Sequence, residues 1–246
     1  MNTLAEYTRN LAAAVASEGA QPIYARAEEG GELDAIRLPT GDAIAWRAPE
    51  SVDPTDSTSE LHKAALAIRT ATSTAARVTA IQSDARLSES AKAEDIASAW
   101  AGGAAKVDKL LSEVEAEAER FAAHERAMLA PPPVTDPVHQ MADMEARQWL
   151  ASVPAADLPE LVNKMQAGEL PELLAAAMRS PVPLPGGIAQ ALPAAWRAHL
   201  TRTRPDDLRA LDARRERLTW LLEVTRQAAG AIQRPKTMGP AVRRVA

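Results

Sequence analysis

The sequence predicts a mainly α protein, an elongated helical hairpin plus a C-terminal multi-helix module, with a small N-terminal β-meander. Three observations lead there. Proline is absent from residues 55–130, whereas four prolines precede that interval and fourteen follow it. Proline lacks the backbone N–H and its ring strikes the preceding helical turn, so a proline-free interval permits long helices. Apolar residues after position 57 recur mostly at helical spacing. Finally, Ala fills 54 of 246 positions, but Leu, Ile, Val and Phe together fill only 46. At about 19%, large apolar side chains are scarce for a thick core, so close packing through alanine and completion by other subunits are expected.

Residues 1–54 form the first segment. A short helix is expected over 3–17. Strand-like runs at 23–26, 33–38 and 43–47 are separated by Gly30-Gly31 and by Pro39-Thr40-Gly41-Asp42, both turn-forming. Ile36, Leu38, Ile44 and Trp46 are spaced to share one face. A sheet this small needs another element to pack on.

Residues 55–130 read as a long antiparallel helical hairpin. Ser57 and Glu60 fit a capping box, in which each side chain satisfies a free N–H at the helix start. Leu61, Ala65, Ile68, Thr72, Ala75 and Thr79 then form a narrow stripe that ends near Ser83-Asp84. A second helix is expected over 89–129. In it Trp100, Val107, Val114, Phe121 and Met128 recur every seven residues, and Ile96 and Leu110 fall in the complementary seam. These five are the predicted helix-packing residues. At ~1.5 Å per residue this helix is ~60 Å long. Glu117 and His124 interrupt the seam, and His124 is expected to be a partly buried polar register marker. Gly102-Gly103 marks a kink or a close-packing point.

Residues 131–136 begin with Pro131-Pro132-Pro133, an extended and stiff connector. Residues 137–232 form the C-terminal module. Asp136-Pro137 supplies a cap followed by proline at the first helical position, opening a helix through Trp149. Further helices are expected over 158–167, ending at Gly168, and over 170–179. Residues 180–187 (SPVPLPGG) read as an extended break before a short helix over 193–202. From Pro205 a long amphipathic helix carries Leu208, Leu211, Leu218, Leu222, Thr225, Ala229 and Ile232. The five Trp, at 46, 100, 149, 196 and 220, read as one packing anchor per section.

Charge is uneven around a net of −5. From Arg197 onward twelve Arg/Lys face five Asp/Glu, a balance of +7, which leaves −12 for the remainder. No acid follows Glu223. The basic tail, residues 233–246, is therefore the predicted partner-binding segment through Arg234, Lys236, Arg243 and Arg244. Docking on an acidic neighbouring subunit is favoured over nucleic acid, because no aromatic residues interleave for base stacking.

Several classes are excluded. Zero Cys removes disulfide scaffolds, thiol catalysis and thiolate metal sites. No apolar run approaches the length of a membrane-spanning helix. The apolar run 11–16 is short and follows Glu6, a poor signal peptide, so a cytoplasmic origin is expected. Of the four His (62, 124, 139 and 199), His139 shares a helix face with Asp143 at i, i+4, a spacing that suits a weak metal ion. No second histidine motif accompanies the pair, and a solvated helix face is the preferred reading. Glu113, Glu115, Glu117 and Glu119 likewise read as solvated. Neither GxxxxGK[ST] nor GxSxG occurs. No catalytic residue, metal ligand or cofactor is expected, and the chain is read as a non-enzyme.

Arg77, Ile81, Asp84, Leu87-Ser88, Lys92 and Ile96 span two helices joined by a short polar turn. Gly168-Glu169-Leu170 and Leu173-Leu174-Ala175 follow, then the proline-rich stretch 180–187 and a Trp-containing helix. Over residues 60–225 this layout resembles uncharacterised helical proteins encoded among the virion genes of tailed bacteriophages. The resemblance implies a structural part of a particle, capsid-associated, neck or tail, assembled in the host cytoplasm. It supplies no catalytic residues. The expectation is thus an assembly protein that bridges subunits, possible homo-oligomer contacts included, with a nucleic-acid-associated or regulatory adaptor as the alternative.

Overall fold

The computed structural model describes residues 21–26, 32–46, 58–181, 184 and 186–233. Among these residues three strands precede seven helices, the mainly α fold with an N-terminal meander that the sequence predicts. The expected helix over 3–17, Ser57 of the capping box, and Arg234, Lys236, Arg243 and Arg244 lie outside the described residues.

Strands β1 (Gln21–Arg26), β2 (Glu32–Arg37) and β3 (Ala43–Trp46) pair antiparallel in the order β1-β2-β3, with Ile36 opposite Ile44. The β2–β3 turn follows from its residues. Pro39 presets its own φ, Gly41 takes φ +91°, and the Gly41 N–H donates to the Leu38 carbonyl at 2.8 Å. Ile36, Leu38, Ile44 and Trp46 are all buried, on the one face their alternation predicts.

The helices are α1 (Thr58–Ser83), α2 (Glu89–Leu129), α3 (Pro137–Ser152), α4 (Leu158–Ala167), α5 (Pro171–Met178), α6 (Gly186–Thr203) and α7 (Pro205–Gln233). They divide between two compact units, Met1–Arg120 with Ala213–Ala246, and Phe121–Asp212. This division differs from the sequence segments 55–130 and 137–232. Both α2 and α7 run through a boundary, because each helix is long enough to supply residues to two cores.

In the first unit the sheet, α1, α2 and α7 share one core. The inward strip of α1 is largely alanine: Ala64, Ala67, Ala71 and Ala75 are fully buried beside Ile68. Small side chains let helices approach closely. At Gly103, a Cβ would lie 2.4 Å from Thr74 Oγ1. Lys63 pairs with Glu117, so residue 63 meets 117 while 74 meets 103, the descending order of an antiparallel hairpin. On α7, Arg226 reaches Glu115 at 2.9 Å and Gln233 reaches Asp108 at 2.6 Å, again antiparallel to α2. Gln227 Oε1 accepts the Ala45 N–H at 2.8 Å, which covers the β3 edge. Glu115 and Glu117 are therefore engaged, not merely solvated.

The predicted seven-residue series is split between the cores. Val107 and Val114 are buried and Trp100 packs at the margin of the first core. Phe121 is buried and Met128 half-buried in the second unit. His124 is exposed, contrary to its expected half-burial. The series turns slowly around a 3.6-residue helix, and by position 124 the inward direction has moved on.

The second unit packs α3 on α5, and α4 and α5 on α6. Helix α6 begins at Gly186 and carries Pro193 inside it, so the expected short helix at 193–202 starts seven residues earlier, while Ser180, Pro181 and Leu184 stay outside the helices as the expected break predicts. Proline removes the hydrogen bond to the carbonyl four residues back. Ala189 and Pro193 are both exposed, so water can satisfy that carbonyl. The end of α2 is capped from this unit: the Trp196 indole N–H donates to the Leu129 carbonyl, and Arg204 donates to that of Met128 at 3.4 Å. Gly168 ends α4 with φ +82°, as its position after the helix predicts, and Arg202 lies where a Cβ would sit.

The two adjacent glycines of α2 should respond oppositely to alanine. Gly102 faces open space, and Gly102→Ala should stabilise by about 0.5–1 kcal/mol through helix propensity. Gly103→Ala should destabilise by about 1–3 kcal/mol through overpacking, with partial relief from Thr74→Ala, as chemical denaturation of the four chains would measure. Phe121→Ala should cost about 3–5 kcal/mol in the same assay.

Candidate interaction face

Helix α3 is held by its polar side. Asp136 caps its N-terminus with extended backbone (φ −78°, ψ 130°), accepting the His139 N–H at 3.3 Å and meeting His139 Nδ1 at 2.6 Å. Its carboxyl is held below the ordinary value by the His139 ring contact, then by the backbone N–H. Seven residues on, Asp143 is buried beneath two guanidiniums. Arg147 approaches Oδ2 at 2.6 Å, and Arg179 contacts both carboxylate oxygens while donating to the Pro132 carbonyl at 3.0 Å. Arg179 thereby ties α3, the end of α5 and the proline connector together. It is the largest cause holding the Asp143 carboxyl below its usual range, with Arg147 assisting against burial.

This geometry corrects the reading of His139 and Asp143. Asp143 is only 7% exposed and committed to arginines, and His139 pairs with Asp136 instead. The two residues form neither a metal site nor a shared solvated face. No group of three or more His, Cys, Asp or Glu is disposed to hold a metal among the described residues.

At 3.6 residues per turn, Asp143, Arg147 and Leu150 lie on one side of α3 and Val138, Met141 and Trp149 on the other, with Met144 at its margin. The outward residues are apolar: Val138 is 72% exposed, Met141 60%, Met144 50% and Trp149 52%. Trp149 is therefore not the buried anchor the sequence reading assigns; Trp46, Trp196 and Trp220 are buried, and Trp100 is half-buried. The four leave on the order of 400–500 Å² of apolar surface uncovered, the size of the largest patch on a typical monomer and often a functional one.

The patch continues into a cleft of about 480 Å³ beyond the end of α3. Trp149, Val153, Pro154, Leu161 and Leu170 line its apolar wall, and Asp157, Glu160 and Lys164 its polar one. Glu160 and Lys164 pair at 2.6 Å, which lowers the pKa of the acid and raises that of the base. Every carboxylate with a shifted pKa among the described residues, Asp84, Asp136, Asp143 and Glu160, is shifted down and stays ionised near neutrality. The outward face itself is an exposed apolar surface. Its signal in the sequence was the spacing of Val138, Met141 and Trp149, which reads equally well as an inward stripe.

Comparisons with protein-family models, with curated proteins and with solved structures find no match for this chain. No helix among the described residues is long and apolar enough to cross a membrane.

Asp143→Asn leaves two guanidiniums facing a neutral amide and should cost about 2–4 kcal/mol, below the usual range for a fully buried pair because both arginines keep some solvent contact. A depressed folded-state pKa stabilises above the ordinary carboxylate value of about 3.9 and loses that contribution as pH falls through the folded value. Wild-type stability should therefore drop more steeply than that of Asp143→Asn between about pH 5 and pH 3, measured by denaturant titration.

Proposed function

We propose that this chain is a non-enzymatic assembly protein that bridges subunits, with the outward face of α3 as a subunit contact. One observation carries the reading. Helix α3 buries an aspartate under two arginines and turns Val138, Met141, Met144 and Trp149 to solvent. That inversion of ordinary amphipathicity leaves a methionine- and tryptophan-bearing patch of a kind enriched at protein interfaces. The scarcity of large apolar side chains and the alanine packing of the first unit support the same reading. The setting we propose is the particle of a tailed bacteriophage, as a capsid-associated, neck or tail component. Its support is the layout resemblance over residues 60–225.

Sedimentation of the full chain should give a mass above the 26.2 kDa of one copy at micromolar concentration. Trp149→Ala and Met141→Ser should each weaken association tenfold or more while circular dichroism stays unchanged, as for truncated interface anchors. A monomer at every concentration, alone and with particle proteins, overturns the reading.

A further inference from the structure

We propose that the outward face of α3 and its adjoining cleft receive residues 234–246 of a second copy of this chain. This inference rests on the assembly reading above and names the contact. The receiving surface has an apolar centre and an acidic surround. Of the charged side chains on this face of α3 or lining the cleft, Glu145, Asp157 and Glu160 stand against Lys164, a balance of −2. Arg147 is drawn in to Asp143, and Lys164 is held by Glu160. Glu145 on α3, Asp157 in the cleft and Glu172 at the start of α5 are exposed and make no ion pair among the described residues.

Residues 234–246 (RPKTMGPAVRRVA) have the complementary pattern. Arg234 and Lys236 stand near one end and Arg243 and Arg244 near the other, with no acid between them. Met238, Ala241 and Val242 lie between the two basic pairs. An extended chain of this length reaches at most ~45 Å, whereas the 16 residues of α3 extend ~24 Å. The segment is thus long enough to lie along the helix and enter the cleft. Its apolar middle would cover the Met and Trp side chains while its ends meet the carboxylates. Exposed ion pairs are weak and screened by salt, so the contact should loosen as salt is added.

Complementary charge reversal tests this on the full chain. One variant carries Arg234→Glu, Lys236→Glu, Arg243→Glu and Arg244→Glu. The other carries Glu145→Lys, Asp157→Lys and Glu172→Lys; the Asp157 side chain makes no cap hydrogen bond, so its loss spares the start of α4. Each variant alone should self-associate at least tenfold more weakly than wild type, with unchanged circular dichroism. Mixed together they should associate with each other, since each tail then meets a face of opposite sign. Variants that associate as well as wild type on their own overturn the proposal and leave the assembly reading standing. So does a mixture that stays monomeric, the result expected if the segment folds back on its own copy. Loss of DNA or RNA binding by the tail variant with self-association intact also overturns it, in favour of a nucleic-acid contact. A wild-type chain that is monomeric on its own at every concentration overturns this contact, and one that also stays monomeric with particle proteins removes the assembly reading with it.

Discussion

A helix needs an inward side, and this chain has few large apolar residues with which to make one. That constraint accounts for two different solutions. In the first unit alanine replaces bulk with proximity. The strip Ala64, Ala67, Ala71 and Ala75 and the Gly103–Thr74 contact bring helices close enough for dispersion to act over many short contacts. In the second unit a charge cluster joins Leu150 on the inward side of α3. Asp143, Arg147 and Arg179 hold α3 against its neighbours through directed bonds.

The second solution has a consequence at the surface. A helix anchored through Asp143 need not spend its apolar side chains on its own core. Val138, Met141, Met144 and Trp149 remain outside, beside a cleft lined by Asp157, Glu160 and Lys164. Methionine suits such a face, because its flexible, polarisable side chain adapts to differently shaped partners. Buried ion pairs are weak sources of stability compared with well-packed apolar residues, but breaking one is costly. An arrangement of this kind therefore sets the orientation of α3 more firmly than it adds to overall stability.

The same economy governs the helix ends. The carbonyls that end α2 are met by the Trp196 N–H and by Arg204, and Arg202 donates to the Gln166 carbonyl at 3.1 Å near the end of α4. Long side chains thus supply donors to backbone carbonyls that have no partner within their own helix. Gly168 belongs to this scheme twice over, once for its left-handed backbone and once for the space it leaves to Arg202.

Local features were legible in the sequence because their causes are local. Proline placement, the Asp136-Pro137 cap, Gly168, the Pro39–Gly41 turn and the seven-residue series each act within a few residues, and each marks its element in the structure. Pro193 was misleading because its cost depends on whether the carbonyl at residue 189 faces water, which adjacent residues do not specify. Direction was likewise beyond local reading. The spacing of Val138, Met141 and Trp149 defines a face, but a face is inward or outward only relative to what lies opposite. Arg179, 36 residues beyond Asp143, decided it by pairing with that carboxylate. Most helices and turns follow from steric and hydrogen-bonding rules of short range, which neighbouring residues carry. Which side of α3 is buried is a property of the packed chain, because it depends on charges brought together across the fold.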